Sequence, residues 1–434
     1  METQENKYIH LVYEKWDDEN NQYFPNIFPL TGEYEFGYEP GFLDFYQRFY
    51  RAQLNYNKDA LPFKSIHIDN VNDDGKKYYY FLKTSRDIGS IFENLELSER
   101  VKYLINNNNN FFIVLLREHE ADWYNSFLTL YKYVNKNNLK ADKFIIISNN
   151  AAVEKYNFNF KHYKLNLISM TASSIFNELV SNFVVDKKGK FFLCHNRTGK
   201  LHRYSLLSSL EIENIIEDVN WSLNPTTNII TGKNNLIEIF DKDYISKYEH
   251  IFDKFFSIKI KESDFEKNKN FYKETGEIDL SSINTKLGGA GGESGGLMIP
   301  ELNETYENSF FNLVTESHFQ DFFKTIHITE KSLRPFYFYQ FPLILSTHGH
   351  IKYMRKEFKL DFFDDIINHS YDEEFDQKIR FNKFIEEVKR INSNKDFYKD
   401  FYIKNFDRFE ANKKIIQNLP NDTRDFNFLR SLMS

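Results

Sequence analysis

The sequence predicts an α/β protein made of two domains with parallel sheets, and three observations carry that prediction. The chain has 434 residues, too many for one ordinary domain and comfortable for two. A strand, a helix and a strand follow one another in about 40 residues, between Phe111 and Ile147, which is the βαβ rhythm of a parallel sheet covered by helices. A second start of the same kind appears near residue 183.

The elements follow in order. Phe111 to Leu116 is a short apolar run of strand length. Trp123, Phe127, Leu130, Tyr131 and Val134 recur at helical spacing, and Phe144 to Ile147 is the next buried strand. Phe183-Val184-Val185 and Phe191 to Cys194, separated by Asp186 to Lys190, read as a hairpin or as a strand after a turn. After His195-Asn196-Arg197 the pattern turns helical through Leu201, Tyr204, Leu206, Leu207 and Leu210. Residues 288–296 hold six of the 16 glycines and lack the Lys-Ser or Lys-Thr of a phosphate loop, so they read as a flexible surface loop. Phe310 to Thr315 and Pro342 to Ser346 read as strands. From about 374 onward, spacing such as Phe381, Phe384, Ile385, Val388 and Ile391 predicts helices that pack back on the body. The expected division is therefore 1–182, 183–373 and a helical segment 374–434.

Composition narrows the function classes. With 56 Lys+Arg against 63 Asp+Glu the net charge is −7, which argues against a generic nucleic-acid coat or a membrane-surface protein. Aromatic residues make up 18%, so most of the chain is expected to fold. The one cysteine, Cys194, excludes an internal disulfide and a cysteine-rich zinc site. The polar start is unlike a signal peptide and no apolar run is long enough to span a bilayer. A cytoplasmic location, in a bacterial or phage-infected cell, is the expectation.

The most specific segment runs from Leu313-Val314-Thr315-Glu316-Ser317 through Ile328-Thr329-Glu330-Lys331-Ser332-Leu333-Arg334-Pro335 to Gln340-Phe341-Pro342-Leu343-Ile344-Leu345. An acid follows a strand, Thr-Glu-Lys opens a helix, and a proline marks the next strand. This resembles the nucleotide-sugar domain of GT-B glycosyltransferases, most closely the fucosyltransferase-type group and its phage-encoded relatives. In that resemblance Glu316 matches the first acid, Glu330 and Lys331 the Glu-Lys pair, and Pro342 the strand proline. Phe191 to Arg197 followed by Leu201-His202-Arg203 resembles the element that opens the same domain, with Arg203 as its phosphate-facing arginine. Asn368-His369-Ser370-Tyr371-Asp372 is similar to an ending seen in the phage relatives. Glu316 and Glu330 stand further apart than in the fucosyltransferase pattern, and Thr-Glu-Ser replaces Phe-Glu-Asn, so the donor sugar stays open.

The resemblance implies two Rossmann-like domains facing a cleft. It also implies transfer of a sugar from a nucleoside diphosphate sugar to an acceptor hydroxyl, inverting and with no cofactor required. A leaving diphosphate needs cations, and Lys331 and Arg203 suit it as a point charge and a fork. Ser332 is the expected cap of a helix starting at Leu333, with Pro335 in its first turn. Such a helix start would aim N–H groups at the phosphates. Glu330 would accept ribose hydroxyls, and Glu316 would hold the sugar or balance its developing charge. Arg197 and Tyr371 are further donor-binding candidates.

The general base is expected from the first domain, beyond the strand 111–116, where Arg117-Glu118-His119-Glu120 offers Glu120 and then His119. Five of the 12 histidines lie between 318 and 369, but their spacing matches no metal site. Asp241-Lys242-Asp243 resembles the Asp-x-Asp metal motif of the other glycosyltransferase fold and leaves a divalent ion as a lesser alternative. The acceptor is a glycan or a modified DNA base. The competing readings are a DNA glycosyltransferase acting on hydroxymethylated pyrimidines and a non-catalytic glycan-binding or structural protein.

Overall fold

The computed structural model describes residues 9–13, 63–82, 97–117, 124–148, 150–164, 181–196, 199–223, 233–257, 305–320 and 324–419, with Asn427 and Ser431. The Gly-rich stretch 288–296 lies outside the described residues. The chain divides into two compact units, one of residues 1–171, 323–327 and 420–434, the other of 172–322 and 328–419. Each is an α/β unit with a wholly parallel sheet. Among the described residues no helix is long and apolar enough to cross a membrane.

The first unit holds β1 (Ile9–Tyr13), β2 (Phe63–His67), β3 (Tyr78–Leu82), β4 (Phe111–Arg117), β5 (Phe144–Ser148) and β6 (Lys161–Lys164). Their order in the sheet is β2-β1-β3-β4-β5-β6. Every neighbouring pair is parallel. Phe111 to Leu115 and Phe144 to Ser148 are buried throughout, which is what a strand covered on both faces requires. Helix α1 (Glu99–Asn107) is capped by Ser98, whose Oγ accepts from the Val101 amide, and α2 (Tyr124–Lys136) sinks Phe127, Leu130 and Val134 completely. The predicted βαβ unit is therefore present.

Just past β5 the chain is fixed by a buried amide. Asn150 Oδ1 accepts from the amides of Ala152 (2.9 Å) and Ile326 (3.0 Å), and its Nδ2 donates to the Tyr156 hydroxyl at 2.9 Å. The Asn150 amide donates to Ser148 Oγ at 2.9 Å. Tyr156 in turn donates to the Lys324 carbonyl.

The second unit contains β7 (Phe192–Asn196), α3 (Leu201–Ile212), β8 (Val219–Leu223), α4 (Lys242–Lys247), α5 (Glu249–Phe256), β9 (Phe311–Thr315), α6 (Glu330–Tyr337), β10 (Phe341–Leu345), α7 (His350–Phe358), α8 (Gln377–Asn392), α9 (Lys395–Lys404) and α10 (Phe406–Asn418). Its sheet runs β10-β9-β7-β8, all parallel. After β8 the chain returns to the other side of β7, so the sheet has a topological switch point between β7 and β9. Residues 201–210 of α3 are all buried. The C-terminal helices pack on the sheet: Phe341 meets Phe409 at 4.9 Å and Phe311 meets Tyr398 at 5.1 Å between ring centroids. The run Phe336 to Tyr339 is buried, as core packing of aromatics requires.

Two expectations fail here. Of the two readings of 183–194 the hairpin fails, since Phe183 to Val185 do not form a strand, while the strand after a turn is present as β7. The backbone of this segment bonds to the turn before β9: Asn182 N donates to Glu307 Oε1 at 2.6 Å and Gly189 N to the Asn308 carbonyl at 3.2 Å. A Cβ at Gly189 would meet the Asn308 oxygen at 2.8 Å, so this contact admits only glycine. Phe183 instead stacks on Tyr402 at 4.6 Å. The second correction concerns the start of α6, which is three residues earlier than expected. Thr329, not Ser332, is its cap, and Pro335 lies inside the helix.

Strand β10 is at the sheet edge. The N–H groups of Phe341 and its alternate neighbours face β9, with Phe341 N on the Phe310 carbonyl at 2.8 Å. Of the outward positions, Pro342 has no N–H, and the Ile344 N–H donates to the Tyr371 hydroxyl at 3.3 Å.

Candidate functional site

In open α/β sheets, ligands bind beyond the carboxyl ends of the strands at a switch point. In the second unit that place is marked by Asn196 at the end of β7 and Thr315-Glu316 at the end of β9. Thr315 Oγ1 donates to Asn196 Oδ1 across the two strands. The Glu316 amide still bonds to the Leu345 carbonyl of β10 at 3.0 Å, so its backbone is held by the ladder while its side chain turns inward.

Glu316 is completely buried. Its carboxylate accepts from Thr329 Oγ1 at 3.0 and 2.9 Å and from Ser332 Oγ at 2.5 Å. It also accepts from the amides of Thr329 at 3.3 Å and Ser317 at 3.1 Å. Burial pushes this carboxyl up, but the Lys331 charge, His350 and the hydroxyls of Ser332 and Thr329 outweigh it and hold it down at about 2. It is therefore an anion at neutral pH, seated at the N-terminal end of α6 where the helix dipole favours one.

That seat decides the local structure. Thr329 Oγ1 accepts from the Lys331 amide at 3.2 Å and so caps α6. Ser332 lies inside this helix, with its hydroxyl donating to Glu316 and its oxygen turned to His350, so it does not cap a later start. Lys331 Nζ lies 3.4 Å from Thr329 Oγ1 and 3.3 Å from Glu330 Oε1, and remains partly exposed. Glu330 also faces Arg334 at 3.7 Å, and Arg334 donates to the Tyr306 hydroxyl at 2.7 Å.

The first turn of α3 grips the same loop through its carbonyls. Lys200 Nζ donates to Ser317 O at 2.7 Å, His202 Nε2 to Glu316 O at 2.8 Å, and Arg203 to Thr315 O at 3.1 Å and Glu316 O at 3.4 Å. Burial, with the Arg203 and Lys200 charges, holds His202 well below the usual histidine range. It is neutral, with its proton on Nε2. Three successive carbonyls thus each receive a donor from one helix start.

A third element completes the cluster. Helix α7 begins at His350, which is fully buried, after Gly349 in the left-handed region at φ 77°. His350 Nε2 is 2.9 Å from Ser332 Oγ, and its Nδ1 is 3.0 Å from Ser346 Oγ. Because Ser332 gives its one proton to Glu316, its oxygen accepts from His350 Nε2–H. A hydroxyl, an imidazole, a second hydroxyl and a carboxylate therefore form one chain from β10 to β9. The amides of Ile351 and Lys352 at the start of α7 donate to the Asp372 carboxylate at 3.0 and 2.9 Å.

The residues expected from sequence are placed as follows. Glu316, Glu330 and Lys331 come together at the carboxyl end of β9. Glu316 spends both oxygens on internal donors, so in this arrangement it anchors α6, and touching a sugar would require it to exchange those partners. Arg203 is 2% exposed and lies on backbone carbonyls, where it ties α3 to β9. Tyr371 is 1% exposed and caps the edge of β10, next to His369 at 3.0 Å. Neither side chain is presented at the surface as a donor-binding residue would be. Arg197, His119 and Glu120 lie outside the described residues.

Among the described residues no group of three or more His, Cys, Asp or Glu could hold a metal ion. The run before Asp241 is a 3-10 turn over Lys233–Glu238, and Asp241 pairs with Lys378 at 3.3 Å. Sequence reasoning missed His350, Ser346, His202 and Lys200. A helical or strand-end polar residue in an otherwise apolar stretch was their only signal. Compared with protein-family models, with curated proteins and with solved structures, the chain matches none.

Proposed function

We propose that the protein is a glycosyltransferase of GT-B type that uses a nucleoside diphosphate sugar, with the second unit as the donor domain. One observation carries this reading: a partly exposed lysine, Lys331, is fixed at the start of α6, beyond the carboxyl ends of a parallel sheet at its switch point. Its backbone is held by Thr329, and Thr329 by the buried Glu316. A cation so anchored needs no reorganisation when charge develops nearby, which is the condition for electrostatic catalysis.

In the proposed step the acceptor hydroxyl oxygen forms a bond to the anomeric carbon as the carbon–oxygen bond to the diphosphate breaks. The electron pair leaves with the diphosphate, which Lys331 neutralises. The hydroxyl proton passes to a general base, for which Glu120 and His119 are the candidates from sequence. Glu330 steers Lys331 and offers acceptors to ribose hydroxyls. Glu316 and Arg203 act by positioning α6 and the loop after β9. No metal is needed, since the lysine supplies the positive charge.

The test is a screen of nucleotide sugars by mass spectrometry, reading hydrolysis or transfer with the purified chain. One or more donors should turn over, and Lys331→Ala should slow turnover about a hundredfold or more while the chain stays folded at the assay temperature. Unchanged turnover would remove Lys331 from the site. Failure of every nucleoside diphosphate to bind in calorimetry would sink the reading.

A further inference from the structure

An aromatic pair joins the loop from β10 to α7 with the turn before α8, and the fold does not require the exposure of its outer ring. Phe375 is 74% exposed, yet one face of its ring lies against His348 with centroids 3.7 Å apart and planes 23° from parallel. A large apolar side chain left in water at this level contributes little to the core. Its backbone is nonetheless held rigidly. Arg380, only 1% exposed, donates to the Glu374 carbonyl at 2.6 Å and the Phe375 carbonyl at 3.1 Å, and through its other nitrogen to the Phe319 carbonyl at 2.7 Å.

His348 is fixed from both sides as well. Ser346, two residues before it, bonds to His350, and the Gly349 amide after it donates to the Asp372 carbonyl at 2.8 Å. A buried arginine, a buried aspartate and a buried histidine therefore hold an exposed ring against a half-buried one. His348 stands on the loop that leaves β10, at the same carboxyl end of the sheet as Lys331, and Phe375 meets it from the turn before α8.

We propose that the Phe375–His348 stack is a platform for the base of a nucleoside diphosphate. This rests on the transferase reading and assigns the base subsite within it. Planar aromatic faces bind bases by stacking with little dependence on sequence or hydrogen bonding. The base is the one flat aromatic part of such a donor, and a ring already backed by a second ring loses no freedom when a third is added.

The experiment is calorimetry of the full chain with a panel of nucleoside diphosphates and with inorganic pyrophosphate, for the unaltered protein, Phe375→Ala and Phe375→Tyr. Affinity for the preferred nucleoside diphosphate should fall about tenfold or more in Phe375→Ala and return in Phe375→Tyr. Pyrophosphate affinity should be the same in all three. Equal nucleoside diphosphate affinity in Phe375→Ala, with binding still dependent on Lys331, would overturn the platform and leave the transferase reading standing. A nucleotide sugar that loses affinity while its parent diphosphate does not would place the sugar on the rings and overturn the assignment to the base. No nucleoside diphosphate binding at all would overturn both.

Discussion

Asn150 and Glu316 hold comparable places in the two units. Each lies just past the carboxyl end of a central parallel strand, each is fully buried, and each gathers backbone amides and hydroxyls around one side chain. The first hub is a neutral amide. The second is an ionised carboxylate with Lys331, His350 and two hydroxyls turned to it. A neutral hub can organise a loop with no charge to balance. An ionised one survives burial only where cations and donors are already arranged, and such an arrangement is also what an incoming anion needs. The difference separates a site built only for shape from one built for charge.

The comparison predicts that removing the charged hub is the more damaging change. Glu316→Ala should destabilise the second unit by about 3–5 kcal/mol, because it strands Thr329, Ser332 and the Lys331 charge together. Urea unfolding measures this, and a loss below about 1 kcal/mol would break the comparison.

Acid should separate the units next. The Glu316 carboxyl sits near 2 in the folded protein against an ordinary 4.5, so its contribution is complete above pH 4.5 and is lost as pH falls toward 2. That interval corresponds to about 3 kcal/mol. Burial also holds His369 down at about 3 and His202 well below its usual range. Both bases bind more protons when unfolded, so their contribution is present above pH 6.5 and also fades as pH falls. Hydrogen exchange should therefore show amides of β9 and α6 losing protection as pH falls below 6.5, while Asn150 has nothing to titrate. Equal loss around Asn150 and Glu316 would count against an electrostatic difference.

The smallest effect is expected at the neutral hub. Asn150→Ala should cost about 2 kcal/mol, from the two amides and one hydroxyl left without their partner. The acid transition around Glu316 should stay where it is. A shift of that transition would mean that the two hubs are coupled.

Much of this was legible in the sequence, for reasons that differ by element. β4, β5, β9 and β10 are apolar runs buried on both faces, and α2, α3 and α8 show helical spacing, so local pattern sufficed. β1, β2, β3, β6 and β8 escaped, because strands of four or five residues leave little pattern to read and several, such as Val219-Asn220-Trp221-Ser222-Leu223, mix polar and apolar residues. The acid, loop and Thr-Glu-Lys start of the site could be read because their order is a pattern. The inward turn of Glu316 could not, since it depends on His350, which meets Ser332 across 18 residues of chain. Arg203 misled for a related reason: spacing marks a cation at a helix start but not whether it faces a phosphate or a carbonyl.

The treatment of β10 has a consequence for life in a crowded solution. An edge strand normally offers a row of amides that a neighbouring chain can extend, which is how many sheets begin to aggregate. Here Pro342 has nothing to offer and Ile344 is already taken by Tyr371. A foreign strand approaching this edge would find both outward donors gone. Pro342 and Tyr371 together act as a stop, so that among the described residues the sheet ends at β10.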